Sequence, residues 1–387
     1  MPLHPSIRRP IEFIGFVGPS PFTEVEEWTG PALDPEYVAK LGKAHDDGDF
    51  DRVLLGYGAD RPDNWQIAGY LTQQTVRLGV LVAHRPGFVA PTLAARFAST
   101  LDHFSQGRVA LHMITGGSDA DQARDGDFLP KERRYTRTAE YMQILKLAWT
   151  SPEPFDFDGE YYTVKDVRQG IRPYREHGIP LFFGGSSPVA LDVAARYADL
   201  YAMFGEPVDD VRAMIADVKA RAAEHGRELA YSVSLRPILG DTEDEAWERA
   251  HRFLEIVRSR KQATVASTRF LRGVAASERS KAEGAQRLLR AAAQGDVRDT
   301  RLWMAIARET GANANTTAPV GTPDQIAETI LSYVDAGATS ILIRGFEPLK
   351  DTPWYGRELV PRIRQLLARR AEAVADVSSL HAAGLPG

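Results

Sequence analysis

The chain has 387 residues, of which 43% are hydrophobic, so it can bury a large core as one big domain or two ordinary ones. Its formal charge of −5, with both signs mixed along the chain, excludes the broad basic field that nucleic acid or an anionic membrane requires. The absence of cysteine excludes disulfides, thiolate metal sites and cysteine nucleophiles, and no metal site is predicted. Because the N-terminus has no apolar signal segment and no apolar run reaches membrane-spanning length, we expect a soluble cytoplasmic protein with no membrane partner.

Short apolar, β-branched runs alternate with longer amphipathic stretches, which is typical of a parallel sheet wrapped by helices. The predicted strands are Ile11–Val17, Arg52–Tyr57, Val76–Ala83, Val109–Ile114, Ile179–Phe183, Leu200–Phe204, Tyr231–Leu239 and Ser340–Arg344. The predicted helices are Asp34–Gly48, Asn64–Gln74, Ala90–Phe104, Glu132–Trp149, Val189–Tyr197, Val208–His225, Glu243–Val257 and Pro323–Ala336, with a closing helix after Tyr355. Eight strands, each followed by a helix, favour an α/β fold of the closed (β/α)8 TIM-barrel type over an open doubly wound sheet.

Residues 1–374 are predicted to form this single barrel domain, and residues 375–387 a flexible tail. Two insertions interrupt the barrel. Aromatic and polar residues alternate within residues 151–178, which predicts a small β-excursion, and the composition of residues 258–319 predicts a helical insertion between the seventh and eighth strands. Inside the second insertion, residues 310–319 are small and polar, which indicates a mobile lid or, as the alternative, an inert surface loop.

A glycine-serine hinge follows the fifth predicted strand. Gly184 and Gly185 have no Cβ and let the backbone approach an anion closely, while Ser186 and Ser187 supply hydroxyls at the start of a helix that begins at Pro188. Helix N-termini present free N–H groups to anions. The hinge therefore predicts a phosphate site, and the alternative is an ordinary helix cap without a ligand.

At Phe182–Ser187, followed by Ala198–Pro207, the sequence resembles the flavin-dependent monooxygenases of the bacterial luciferase superfamily, and within it the alkanesulfonate monooxygenases. Further matching motifs occur in family order at Thr92–Arg96, Leu101–Arg108, Ile114–Gly116, Arg134–Tyr135, Gly226–Arg227, Asp244–Trp247 and Val320–Pro323. Each motif is short, but the ordered set covers nearly the whole chain, from Ile11 to Arg369.

The resemblance implies a barrel that binds reduced FMN at the carboxyl ends of its strands, with O2 as co-substrate. It also implies a homodimer or homotetramer and a separate NAD(P)H:FMN reductase that supplies the reduced flavin. No Gly-x-Gly-x-x-Gly motif follows the first strand, so a dinucleotide-binding domain is not predicted there. The cofactor-binding residues predicted from the resemblance and from the strand ends are Tyr57, Thr115, Tyr135, Gly184, Gly185, Ser186 and Ser187.

Within this set, Tyr135 would contact the phosphate, and Thr115 and Tyr57 would flank the isoalloxazine ring. His112 is interpreted as a core or ring-adjacent residue in preference to a base. Four arginines at strand ends or in the lid segment are predicted to open onto the same cavity and to act in catalysis: Arg61, Arg85, Arg236 and Arg308. A guanidinium matches the geometry of an oxyanion such as sulfonate, and the alternative for each is a surface arginine in an ion pair.

The substrate positions depart from the alkanesulfonate pattern. That group has histidine where Arg236 stands, arginine where Ser234 stands, cysteine where Arg61 stands and tryptophan where Phe204 stands, and it has a tyrosine and a histidine where this chain has Phe346 and Pro348. Because the cofactor positions agree while the substrate positions differ, we expect the same oxygen chemistry on a different molecule. A bulkier or more hydroxylated sulfonate, such as the sulfosugar sulfoquinovose, fits this expectation.

The function predicted from these observations is oxidative cleavage of the C–S bond of an organosulfonate, which releases sulfite and leaves a carbonyl product. Three alternatives stay open at this point. The first is a monooxygenase of the same superfamily that acts on a sulfone, an N-heterocycle or a chelating amine. The second is a deazaflavin-dependent oxidoreductase, and the third is a flavin-binding protein without turnover.

Overall fold

The computed structural model describes His4 and residues 11–266, 283–312 and 316–382. The strands of these residues are β1 (Glu12–Phe16), β2 (Arg52–Leu55), β3 (Gly79–His84), β4 (Val109–Met113), β5 (Phe155–Asp158), β6 (Thr163–Val167), β7 (Leu181–Gly184), β8 (Leu200–Phe204), β9 (Ala230–Leu235), β10 (Ile238–Leu239), β11 (Val297–Arg298), β12 (Leu302–Trp303), β13 (Ala318–Gly321) and β14 (Ser340–Ile343). The helices are α1 (Pro35–Asp47), α2 (Asn64–Gln74), α3 (Pro91–Phe104), α4 (Asp119–Arg124), α5 (Lys131–Thr150), α6 (Pro188–Tyr197), α7 (Val208–Glu224), α8 (Glu243–Ala266), α9 (Glu283–Ala293), α10 (Ala305–Glu309), α11 (Pro323–Asp335), α12 (Pro348–Trp354) and α13 (Val360–Ala382), with a π-helical turn at Tyr355–Leu359.

Eight parallel strands close a barrel in the ring order β1, β14, β9, β8, β7, β4, β3, β2. The closed barrel confirms the fold class predicted from the alternation of strands and helices, and each of the eight predicted strands overlaps one barrel strand. In this ring β7 lies four places from β1, so the two strands stand on opposite sides of the barrel.

Both faces of the barrel strands are buried. Along β1, Phe13 belongs to the apolar cluster between the barrel and its helices, whereas the next residue, Ile14, belongs to a separate cluster inside the barrel. The same alternation holds for Leu181 and Phe182 on β7. Because successive side chains of a strand point to opposite faces, a strand with two buried faces is largely apolar along its length. This explains why the strands stand out in the sequence.

The seventh predicted strand is broken into two. The run Tyr231–Leu239 was expected to be continuous, but β9 ends at Leu235 and β10 leaves the barrel to pair with β13. The break falls at Arg236 and Pro237, where proline has no N–H to donate to a sheet. The N–H of Arg236 instead donates to the Thr317 carbonyl at 3.0 Å, which directs the chain into the side sheet.

The two insertions have different structures. An antiparallel hairpin of β5 and β6 occupies the segment for which a β-excursion was predicted. The second insertion is not wholly helical, because β11, β12 and β13 form a small sheet with β10. Within the predicted lid, residues 310–319, Ala312, Thr316 and Thr317 are buried, while residues 313–315 lie outside the described residues. These buried lid residues differ from the loosely packed loop that the sequence suggested, and motion of the lid stays a prediction.

The C-terminal segment differs in part from the predicted tail. Helix α13 continues to Ala382, so residues 375–382 are helical, while residues 383–387 lie outside the described part of the chain. Among the described helices, none combines the length and the apolar character needed to cross a membrane.

Candidate functional site

A cavity of about 390 Å³ opens at the carboxyl ends of the barrel strands. Its base is an apolar layer inside the barrel, contributed by Ile14, Leu54, Leu81, Phe182 and Leu342. Functional sites of closed α/β barrels lie at this end of the strands. An apolar cavity of a few hundred Å³ with a few polar groups is typical of a small-molecule or cofactor site.

The glycine-serine hinge forms one wall of this cavity, at the end of β7. Gly185 has φ of +150°, and a Cβ at this position would lie 2.9 Å from both the Ala190 Cβ and the Tyr135 hydroxyl. Ser187 caps helix α6, since its Oγ accepts a hydrogen bond from the Ala190 N–H at 3.3 Å. The Tyr201 hydroxyl donates to the Gly185 carbonyl at 2.7 Å and fixes the loop. The geometry is that of a backbone cradle for an anion at a helix N-terminus.

Side chains from the β4 end complete this cradle. The Tyr135 hydroxyl is hydrogen-bonded with the side chains of Thr115 and Ser187, and burial raises the pKa of Tyr135. Arg134 is buried behind the loop, where its Nε donates to the Thr115 carbonyl at 3.1 Å. Lys131 also lines the cavity and adds a positive charge. A phosphate held here would meet hydroxyl donors, free backbone N–H groups and a cation.

Helix α9 of the second insertion covers the cradle. Glu283, Gly284 and Arg287 line the cavity, and a Cβ on Gly284 would lie 3.3 Å from the Ser186 Oγ. Arg287 makes a two-pronged ion pair with the buried Glu206 after β8, with Nε to Oε2 at 2.8 Å and Nη2 to Oε1 at 2.6 Å. This pair fixes the helix against the barrel. Sequence reasoning missed Glu283, Gly284 and Arg287, because these residues are separated from the cradle by about a hundred residues and have no motif of their own.

Two arginines and one glutamate form a cluster near the end of β14. Arg344 lines the cavity, its guanidinium lies 4.5 Å from the centre of the Phe16 ring, and its Nη2 lies 3.7 Å from Glu24 Oε2. Behind it, Arg236 is fully buried, and its Nη1 lies 3.0 Å from Glu24 Oε1. Burial by itself raises the pKa of Glu24, but the two arginines outweigh it and hold that pKa well below its usual range. The cluster therefore contains two guanidinium groups and one carboxylate.

Residues 17–340 match the family model described as luciferase-like monooxygenase. The chain belongs to this family.

Three solved structures with similar folds show how varied the chemistry of such barrels is. Riboflavin lyase RcaE is 18% identical, with a TM-score of 0.73 and 92% of each chain covered. EDTA monooxygenase EmoA from Chelativorans sp. BNC1 is 17% identical, with a TM-score of 0.72, and the match covers 92% of this chain and 94% of the other. An F420-dependent secondary alcohol dehydrogenase is 17% identical, with a TM-score of 0.64, and the match covers 92% of this chain and 99% of the other. At these identities the likeness is one of fold.

In this luciferase-like chain, the cavity brings together six of the seven predicted cofactor residues: Thr115, Tyr135, Gly184, Gly185, Ser186 and Ser187. Tyr57, the seventh, belongs to a neighbouring polar network, where its hydroxyl donates to Asp125 Oδ2 at 2.6 Å. Arg85 is part of the same network: its Nη2 donates to Asp121 Oδ2 at 2.6 Å and its guanidinium lies 4.4 Å from the centre of the Tyr57 ring. This network differs from the expected arrangement, in which both residues faced the cavity.

The predicted arginines are placed differently from one another. The side chain of Arg61 is 53% exposed and lies 3.7 Å from Asp60, and that of Arg308 is 44% exposed and pairs with Asp296. Neither lines the cavity, because both point to solvent and find carboxylates close in the sequence. Arg236 is fully buried and does not line the cavity, and it pairs with Glu24, which lies beside Arg344. The direct catalytic roles given to the four arginines stay predictions.

His112 lines the cavity from β4, as expected for a residue adjacent to a bound ring. Burial lowers its pKa to about 4, so the imidazole is neutral at pH 7. Its Nδ1 is buried and makes no hydrogen bond with any described residue. A neutral imidazole of this kind can share a hydrogen bond with a ligand but adds no charge to the site.

Proposed function

We propose that the protein is the oxygenase of a two-component system that uses reduced FMN and O2 to cleave the C–S bond of an organosulfonate, releasing sulfite and a carbonyl product. The observation that carries the proposal is the anion cradle of Gly185 and Ser187 at the edge of an apolar barrel cavity. This combination suits a ligand with a phosphate at one end and a flat ring system at the other. Membership of the luciferase-like monooxygenase family supports it.

The residues of the cavity fit FMN. A Cβ at Gly185 would collide with Ala190 and Tyr135 and so distort the cradle, and the Ser187 cap with Tyr135 and Lys131 supplies donors and charge for a phosphate. The apolar layer inside the barrel would receive the ring. When bound and reduced, FMN supplies the electrons and the activation of O2. The protein is proposed to position the two reactants and to exclude water, with Phe16, Phe204 and Met203 as apolar walls.

The charge of the cavity supports an anionic substrate. Arg344 lines the cavity. Glu24 lies beside Arg344 and neutralises only part of the positive charge of the two arginines. Ser232 and Ser234 lie on the cavity wall and add hydroxyl groups near β9. These hydroxyls support the proposal of a more hydroxylated sulfonate, such as sulfoquinovose. The oligomer, a homodimer or homotetramer, and the separate NAD(P)H:FMN reductase are proposed from the same resemblance.

A second candidate is monooxygenation of a chelating amine that carries several carboxylates. The excess of arginine over glutamate at the end of β14 would attract such a polyanion as well. The similarly folded EDTA monooxygenase EmoA is an example of a protein with this activity.

Sulfite release tests the proposal. The purified protein is incubated with FMN, a flavin reductase, NADH, O2 and each member of a panel of alkanesulfonates and sulfoquinovose, and sulfite is quantified. We expect sulfite from at least one sulfonate, and none when the flavin or the protein is omitted. No sulfite from any sulfonate, with oxidation of EDTA or nitrilotriacetate instead, would favour the second candidate. Activity only with reduced deazaflavin would overturn both.

A further inference from the structure

We propose that Arg344 binds the anionic group of the substrate, and that Glu24 sets the net charge of this subsite at one positive charge so that a monoanion is preferred over a dianion. Arg236 acts behind them as a positioning residue. The inference deepens the proposed function and rests on it in one respect, namely that the substrate is an anion.

Arg344 has donors that the protein leaves available. Its backbone N–H donates to the Leu235 carbonyl at 3.2 Å, which fixes the residue just beyond β14. Its buried Nε makes no hydrogen bond with a described residue, and the Glu24 oxygen at 3.7 Å is beyond hydrogen-bond distance. The side chain is 20% exposed, on the cavity side of the cluster. Because no hydrogen bond to Glu24 saturates the guanidinium, its exposed part can donate to an oxyanion in the cavity, which is the arrangement that gives a binding site its selectivity.

Arg236 cannot take this role. It is fully buried, and its guanidinium lies 3.6 Å from the centre of the Phe346 ring and donates through Nη2 to the Gly345 carbonyl at 3.2 Å and to Glu24 Oε2 at 3.0 Å. These contacts fix Glu24 from behind. Because Glu24 comes from the loop after β1, the pair ties that loop to the β9 and β14 ends and holds the carboxylate beside Arg344.

The charges of the cluster decide which anion fits. Two guanidinium groups and one carboxylate leave one positive charge, which a sulfonate neutralises. A phosphate monoester or phosphonate that carries two charges would leave one negative charge in a partly buried site, and an uncompensated buried charge is costly. Arg61, the next cation, pairs with Asp60 in solvent and adds little net charge. Exclusion of a competitor by unpaired charge is a common route to specificity.

Binding of matched anions tests the inference. The protein is loaded with oxidised FMN, which permits no turnover, and is titrated in a calorimeter with octane-1-sulfonate against octylphosphonate and with sulfoquinovose against glucose 6-phosphate. The pH is set above the second pKa of the phosphorus acids. We expect the wild-type protein to bind at least one sulfonate about tenfold or more tightly than its phosphorus partner, because one unpaired charge is worth at least that factor.

Four variants separate the roles. Arg344→Met should weaken sulfonate binding about 10- to 100-fold, the range for hydrogen bonds to a charged group, with FMN affinity unchanged, and Arg344→Lys should recover part of the loss. Glu24→Gln should narrow or reverse the preference for the monoanion. Arg236→Met should weaken sulfonate binding, and Arg236→Lys, which restores a charge beside Glu24, should recover part of it. Arg370→Met is the matched control. It removes an exposed ion pair between Arg370 on α13 and Asp335, and it should leave the affinities for sulfonate and FMN unchanged.

Each outcome bears on the inference. Equal sulfonate affinity in Arg344→Met and wild type would overturn it, as would an unchanged preference in Glu24→Gln or no binding of any sulfonate. An equal loss of FMN affinity in Arg344→Met would show that the arginine serves the flavin instead. Sulfonate binding without sulfite release in the turnover assay would refute the proposed function and leave the inference standing. Sulfite release at the same rate in Arg344→Met and wild type would support the proposed function and overturn the inference.

Discussion

Gly185 is the residue on which the cofactor site depends most closely. Its φ of +150° lies in a region that favours glycine, and the space beside its Cα is bounded by Ala190 and Tyr135. Both neighbours are part of the cradle, so a side chain here would meet the groups that are proposed to hold the phosphate. The backbone strain and the loss of space act together at this one position.

We therefore predict that Gly185→Ala weakens FMN binding by at least about tenfold, because the loop must shift and a strained backbone costs about 1–3 kcal/mol. Quenching of flavin fluorescence during titration with FMN measures the affinity. Gly170→Ala is the matched control, since Gly170 has no atom within 4 Å of the added Cβ, and it should bind FMN as the wild type does. Equal FMN affinity in the two variants would show that the cradle does not bind FMN.

The sequence predicted the cradle because its chemistry is local. Gly185, Ser187 and Pro188 are neighbours in the chain, and each has a conformational preference that is visible without a structure. The Arg344 subsite has no such local signature. Arg236 and Glu24 are 212 residues apart, and neither stands in a motif. Only the closure of the barrel brings them together, so residue type alone could not distinguish Arg344 from the exposed Arg308.

Among the elements, helix α9 has the clearest functional consequence. Helix α9 belongs to the second insertion and lies between α8 and β13 in the chain. Its Arg287 nevertheless pairs with Glu206 at the end of β8, next to the cradle. A carboxylate that accepts two guanidinium donors is a strong and directional anchor. The helix thereby links the insertion to the cofactor end of the cavity.

Glu206→Gln should loosen this anchor. Hydrogen bonds between charged groups contribute about 1.5–3 kcal/mol, so the detached helix should be populated about 10- to 100-fold more often. Trypsin, with mass spectrometry of the fragments, should then cut faster after Arg287 or Arg290, and FMN should bind more weakly. Asp209→Asn, which removes an exposed partner of Arg212 on α7, is the control. Cleavage of Glu206→Gln at the wild-type rate would show that the ion pair does not hold the helix.

The barrel strands were predicted well, and the small elements of the insertion were not. Strands such as Leu200–Phe204 are apolar runs bounded by polar residues, so composition identifies them. Strands β11 and β12 have two residues each, which is too short for any periodicity to be visible. Their pairing with β13 depends on a chain reversal, and the apparent continuity of Tyr231–Leu239 concealed the break at Pro237.

At the scale of the whole molecule, three buried histidines contribute to the loss of stability in acid. Burial lowers the pKa of His45, His84 and His112 to about 4 in each case. In the unfolded chain a histidine takes up a proton near pH 6.5. As the pH falls below that value, the unfolded state binds protons that the folded state refuses, so stability is lost between about pH 6.5 and pH 4.

We predict that the free energy of unfolding is lower at pH 5 than at pH 7 by about 2 kcal/mol for each of these histidines. Urea denaturation at the two pH values measures the change. A His84→Gln variant should show a smaller difference between the two pH values than the wild type, whatever its stability at pH 7. A denaturation midpoint that stays constant from pH 7 to pH 5 would contradict the prediction.

The place of β14 in the ring has a consequence for the order of assembly. This strand pairs with β1 on one side and β9 on the other, so until it docks both partners are open sheet edges able to pair with other chains. It follows the whole second insertion in the sequence, and during synthesis it is therefore the last barrel strand to leave the ribosome. Leu342 and Arg344 arrive with it. The nascent protein can thus build the proposed phosphate cradle early, but it gains the proposed substrate subsite only in the final step of barrel closure.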